Sequence, residues 1–329
     1  MSGRLLQAIY LVPTLLWVIP LPSSAAGPEK ETAGVITEIK PGRGRVEVRA
    51  PGSVEWRQAQ PLQALKVGDL VRATEDAKVV VMLSGRRGSV TVESADSSFL
   101  VPPPAEKGKV QKFVELLQAS LGFLSARAED TPRVPIATRR EPGPPEILTP
   151  RNGLVLPYRL TFEWRADPLT PYTIRIVGPS GVVLERRGVK GARLDYPPEA
   201  PELSPGVRYT LELLSTGYSV QAVWFEVVDP SGAQAIEQDL GELERTLSPT
   251  VSPNSLAVVR VGFLASRGLL HDARRLLVSA LNNDPDEPTF HLLLGDLFVR
   301  LGLPEVAAES HSEAQFLLRR GSRSPRSQW

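Results

Sequence analysis

The sequence predicts a multidomain α+β protein: two β-rich modules in succession, then paired α-helices. Three observations predict it. Residues 33–104 and 145–230 contain short runs of alternating polar and apolar residues broken by Gly and Pro, the pattern of half-buried strands joined by turns. Residues 231–320 change to helical spacing. Within them one pattern recurs at a spacing of 34, pairing Gly268 with Gly302, Ala273 with Ala307 and Ala280 with Ala314. That spacing is the period of a helix–turn–helix repeat. A chain of 329 residues has room for two or three such domains.

The first 26 residues read as a secretory signal peptide. Arg4 supplies the positive start, Leu5 to Leu21 the apolar core, and Ser24-Ala25-Ala26 the small residues of a cleavage site. The alternative is an uncleaved membrane anchor, and 17 residues interrupted by Pro13 and Pro20 make a marginal span. Cysteine is absent, so a disulfide framework, a thiolate nucleophile and a cysteine-bound metal are excluded. The net charge of +1 gives no bulk attraction to nucleic acid. An exported chain without cysteine fits the periplasm or surface of a Gram-negative-type bacterium.

In residues 33–104, Arg45 to Arg49 and Ser89 to Glu93 alternate, and Val79 to Leu83 is a continuous β-branched run. Gly68-Asp69 marks a turn, where Asp69 is expected to bond nearby backbone N–H groups and not to act in catalysis. Gly34-Val35, Trp56, Leu65 with Gly68-Asp69, Val71-Arg72, Thr74 and the apolar run before Ser84-Gly85 resemble the FecR domain. The resemblance implies a β-rich binding module outside the bacterial inner membrane. Some members of that family relay a signal to a sigma factor through a cytoplasmic N-terminal segment. Here four residues precede the apolar stretch, so location and binding are implied, not sigma regulation. Lys66 to Leu70 also resembles the start of a LysM glycan-binding module, without the helix that should follow.

Residues 105–144 are expected to hold an amphipathic helix and a proline-rich linker. Val110, Phe113, Val114, Leu117, Leu121 and Leu124 make one stripe between Lys107 and Arg127, suited to packing on a neighbouring domain, with a partner or membrane as the alternative. About seven short strands follow in residues 145–230, the signature of a β-sandwich. Leu203-Ser204-Pro205-Gly206 with Tyr209 resembles the approach to the sixth strand of a fibronectin type III (Ig-like) domain. That implies Trp164 as the core tryptophan and Tyr209 as a corner-fixing hydroxyl.

The helical region 231–320 begins with the amphipathic stretch Ala233–Leu247. The 34-residue pattern then runs from Asn254, with helix stops at Gly268 and at Asn282 to Pro285. Gly295, Phe298, Ala307 and Ala314, with Ala273, Ala280 and Pro285, resemble the tetratricopeptide repeat (TPR). The departures are Val261 at a small-residue position and His291 at an aromatic one. In that family a concave face of first-helix residues grips a peptide or protein. The resemblance places Val258, Ala265, Leu292, Asp296, Val299 and Arg300 on that face as partner-binding residues. The alternative is that two repeats only cap the preceding domain. Residues 321–329 read as a disordered basic tail.

His271, His291 and His311 are expected to be exposed helix residues, since none forms a zinc-type pair. No nucleophile elbow or phosphate loop occurs. The sequence therefore points to a non-enzymatic exported scaffold without cofactor or metal. Its expected partners are envelope proteins, met through the TPR groove or the β-domains, with no nucleic acid and membrane contact only through an N-terminal anchor. The alternative is a FecR-like sensory or regulatory module that relays an envelope signal.

Overall fold

The computed structural model describes residues 32–85, 88–94, 96, 98–104, 111–126, 144–158, 160–165, 167 and 169–321. The expected leader, the proline-rich linker and the basic tail lie outside those residues. The fold is mixed α+β, with mostly antiparallel sheets and, among the described residues, six helices. From Thr32 onward the chain clusters as one compact unit, so the successive modules pack on one another.

The first module contains β1 (Gly34–Lys40), β2 (Val46–Arg49), β3 (Arg57–Gln58), β4 (Ala64–Leu65), β5 (Leu70–Ala73), β6 (Lys78–Leu83), β7 (Ser89–Glu93) and β8 (Phe99–Leu100). They form two four-stranded sheets, ordered β4-β1-β6-β7 and β3-β2-β5-β8. Ile36, Ile39, Leu65, Val71, Val79 and Val81 fill the core between them. Gly68 turns the chain at φ +87°, and the Asp69 Oδ2 accepts the Lys66 N–H at 2.8 Å, as the turn reading expects. Strand β1 is buried along six of its seven residues. Val35 and Met82 leave the β core and join the helices instead.

Helix α1 (Gln111–Ser125) follows. Phe113, Leu117, Leu121 and Leu124 are buried and Val114 half-buried, so the stripe is covered from Phe113 on, while Val110 lies outside the described residues. The second module has eight strands where about seven were expected: β9 (Glu146–Thr149), β10 (Gly153–Val155), β11 (Thr161–Arg165), β12 (Tyr172–Gly178), β13 (Gly181–Val189), β14 (Arg193–Asp195), β15 (Arg208–Leu214) and β16 (Gln221–Val227). Short β10, which pairs parallel to β16, has too few residues to show a period. The sheets run β14-β11-β9 and β10-β16-β15-β12-β13. Phe162 and Trp164 from one meet Ile174, Ile176, Leu211 and Phe225 from the other in a shared core. The Tyr209 hydroxyl accepts the Ser204 N–H at 2.7 Å.

Five helices close the chain: α2 (Pro230–Leu247), α3 (Pro253–Ser266), α4 (Leu270–Asn283), α5 (Pro288–Arg300) and α6 (Pro304–Gly321). Proline opens α2, α3 and α5, where its missing N–H costs nothing. The 34-residue spacing appears as one turn made twice. Gly268 and Gly302 sit at φ +78° and +74°. In the first copy Leu269 N–H reaches the Leu264 carbonyl at 3.0 Å, and in the second Leu303 N–H reaches Phe298 at 2.8 Å. This 6→1 bond satisfies the last carbonyls of each helix. Ala273, Ala307 and Ala314 are buried as expected. Ala280 is only half-buried, because it lines an open groove over α3. Gly295 is required by contact: a Cβ there would overlap the His311 ring.

Candidate functional site

The six residues expected on an open concave face belong to α3 (Val258, Ala265) and α5 (Leu292, Asp296, Val299, Arg300). The face is not open. Val258 is 0% exposed, Ala265 6%, Leu292 8% and Asp296 7%, while Val299 is half-buried and Arg300 exposed. The chain covers this side itself. Helix α1 packs along α3 and β1 packs on both α3 and α5. The α1–α3 approach is close: Ser120 Oγ donates to the Val259 carbonyl at 2.6 Å, and a Cβ on Gly262 would meet Ser120 and Leu124. Asp296 is taken up by His311, whose Nε2 lies 3.0 Å from its Oδ1. The Arg300 guanidinium sits 4.1 Å from the Phe123 ring centroid of α1.

Two polar joints hold the β-modules to the helices. In the first, the β1–β6 register shifts between Ile36 and Glu38. Such a bulge can bring consecutive side chains to one face, and here Thr37 and Glu38 both turn to α3. Thr37 Oγ1 lies 2.8 Å from Ser255 Oγ. The Glu38 carboxylate accepts the Ser255 N–H at 3.1 Å and the hydroxyls of Ser252 and Ser255. A carboxylate is thereby fixed at the N-terminus of α3, where the helix dipole favours it. Beside it Glu287 caps α5 through the Thr289 N–H at 3.1 Å. Glu287 is 1% exposed and its Oε2 has no hydrogen-bond partner. Burial, then the charges of Glu38 and Asp284, push its carboxyl up to about 7.

The second joint fastens the sandwich to α4. Thr149 Oγ1 meets His271 Nδ1 at 2.7 Å. Asp272 accepts the Leu156 N–H at 3.0 Å, and Arg274 Nη1 pairs with Glu163 at 2.7 Å. Burial, reinforced by Arg275 and Arg274, lowers His271 to about 3 and keeps it neutral. Burial raises Asp272 to about 6. The expectation of exposed histidines is thus corrected. His271 is buried because the sandwich covers it, and His311 is partly covered by α5. His291 is half-buried, with its Nε2 2.7 Å from the Pro285 carbonyl.

Three concavities stand out among the described residues. A groove of about 570 Å³ runs over α3 between α2 and α4, with Leu240, Ala257, Leu264, Leu276 and Ala280 as apolar lining. A second of about 580 Å³ lies at one end of the sandwich, between Tyr158 and Tyr196. A third, about 200 Å³ and bordered chiefly by polar and charged residues, lies at the sandwich–α4 joint. Among the described residues no group of three or more potential metal ligands converges, and no helix is long and apolar enough to cross a membrane. Sequence reasoning missed Glu38, Glu287 and the His271–Arg275 stretch. The adjacent His271-Asp272 and Arg274-Arg275 flanking the apolar stripe of α4 carry no local sign of burial. Compared with known proteins, the chain matches no family model and no curated protein.

Proposed function

We propose that this chain is a non-enzymatic exported scaffold that brings proteins together in the bacterial cell envelope, built from a FecR-like module, a fibronectin type III-like sandwich and two TPR-like hairpins. The observation that carries the reading is the duplicated hairpin, with its paired glycine turns and small residues at the crossings. Such hairpins build extended binding surfaces. The Tyr209 corner and the buried Trp164 support the sandwich assignment. Export to the periplasm or surface rests on the leader-like pattern of residues 1–26.

Because α1 lies over the side expected to bind, the helical surfaces proposed for a partner are the α2–α3–α4 groove and the rim at Val299 and Arg300, with the β-domains as the alternative. Photo-crosslinking amino acids at Ala257, Arg300 and the exposed Val54 test this in native envelopes. The expected result is one envelope protein captured from Ala257 or Arg300 and absent from Val54. Equal capture from all three positions would remove the surface assignment, and recovery of no crosslinked protein would remove the scaffold reading. The sensory alternative is favoured by one contact: Glu38 joins β1 directly to α3, so a ligand felt by the first module has a route to the helices. A sigma-factor-dependent transcript that changes on deletion of the chain would select it.

A further inference from the structure

The 200 Å³ pocket at the sandwich–α4 joint has a lining unlike the other two. It is bordered by Thr161, Glu163, Arg193, His271, Arg274 and Arg275, with smaller residues between them. Three arginines and one acid, Glu163, line the pocket, and Arg193 and Arg275 each also pair with an acid outside the lining, Asp195 and Asp272. Arg274 is 9% exposed, and its Nε–H has no acceptor. Three carboxylates pair with the three arginines, so what is left over is hydrogen-bond donor capacity and not net charge. Arg274 meets Glu163 through Nη1, Arg275 meets Asp272 through Nη2 at 3.3 Å, and Arg193 meets Asp195 through Nε and Nη2. Each guanidinium carries five N–H donors in a fixed fork, more than these carboxylate pairs occupy. A cavity of this size is below the range that takes drug-sized ligands. It suits a small ion or the end group of a larger molecule.

We propose that this pocket is a binding site for a compact oxyanion, a phosphate or carboxylate group, held by Arg193 from the sandwich and by Arg274 and Arg275 from the repeat. Planar forks favour carboxylate and phosphate through paired, charge-assisted hydrogen bonds. The site draws on two modules, so an anion in it ties them together. Binding only to the joined state raises the melting temperature by mass action. The site is independent of the scaffold reading, because it needs no protein partner.

The test is calorimetric titration of the full chain with inorganic phosphate and, separately, with succinate, at an ionic strength held constant with chloride. The expected result is saturable one-to-one binding of at least one probe, with a matching rise in melting temperature. The stronger probe identifies the oxyanion class. The double variant Arg193→Gln, Arg275→Gln is expected to weaken binding roughly tenfold or more. Arg275→Lys keeps the charge but loses the fork, and is expected to weaken it by less. Absence of saturable binding for both probes overturns the proposal, as does an unchanged affinity in the double variant. If the double variant does not fold, a wild-type crystal soaked in phosphate decides: density between Arg193 and Arg275 is required, and an empty pocket overturns the site.

Discussion

The two joints that hold the β-modules to the helices are built from opposite chemistry. At the β1 joint, two buried carboxylates, Glu38 and Glu287, meet at helix N-termini, and one carboxylate oxygen is left without a partner. At the sandwich joint, a neutral His271 and a buried Asp272 sit beside Arg274 and Arg275. The difference teaches how each joint responds to pH. Glu287 is raised in the fold to about 7 from 4.5. Folding therefore favours its proton, and this contribution is full below about 4.5 and lost as pH rises through 7. His271 is lowered to about 3 from 6.5, so its contribution is full above about 6.5 and lost as pH falls toward 3. Asp272 is raised to about 6 from 3.8, and its contribution is lost as pH rises through 6. In the sandwich joint the two titrations oppose each other across their shared window. In the β1 joint the Glu287 contribution falls as pH rises from about 4.5 through 7, so that joint weakens between mild acid and neutrality.

Four substitutions test the contrast. The largest effect is expected from Leu117→Ala in α1, fully buried and touching neither set of charges. It should cost about 2–5 kcal/mol through the cavity it leaves, and by the same amount at pH 5 and pH 8. Urea unfolding at both values measures this. A loss under about 0.5 kcal/mol would mean that α1 is not part of the core and that the covered face is open after all.

Glu287→Gln removes the titration at the β1 joint. Above pH 7 the variant should be more stable than the parent by up to about 3 kcal/mol, with the gap closing as pH falls to 4.5. A parallel pair of stability–pH curves would erase the contrast between the joints. His271→Leu works on the other joint. It leaves the buried Thr149 hydroxyl without its ring partner, at a cost of about 1–3 kcal/mol near neutral pH. The deficit should shrink as pH falls below 6.5, because the parent then has a buried imidazole to protonate. A deficit that grows in acid would assign the wrong protonation state to His271. The smallest effect belongs to Arg300→Ala. Losing its contact with Phe123 should cost less than about 1 kcal/mol by thermal melting, and a larger loss would make Arg300 a structural clamp instead of a rim residue.

Much of the fold was legible because its causes are local. The β2, β6 and β7 runs, the α1 stripe, and the glycine turns at 268 and 302 each follow from residues a few positions apart. Tyr209 and Trp164 took their expected places because a sandwich core admits few positions for large rings. The candidate face was only half legible. Nothing within α3 or α5 says that α1, more than 100 residues earlier, lies over α3. Arg300 stays exposed at the rim, where its guanidinium lies over the Phe123 ring of α1.

Periodicity and turn chemistry in the chain set the order of modules, the helix ends and the close approach at Gly295, since these depend on neighbours in sequence and on side-chain size. Packing between modules set the rest. Glu38 meets Ser255 across 217 positions and Thr149 meets His271 across 122. The protonation of a carboxyl or an imidazole depends on what displaces its water. That displacement comes from elements brought together only when the β-modules close onto the helices.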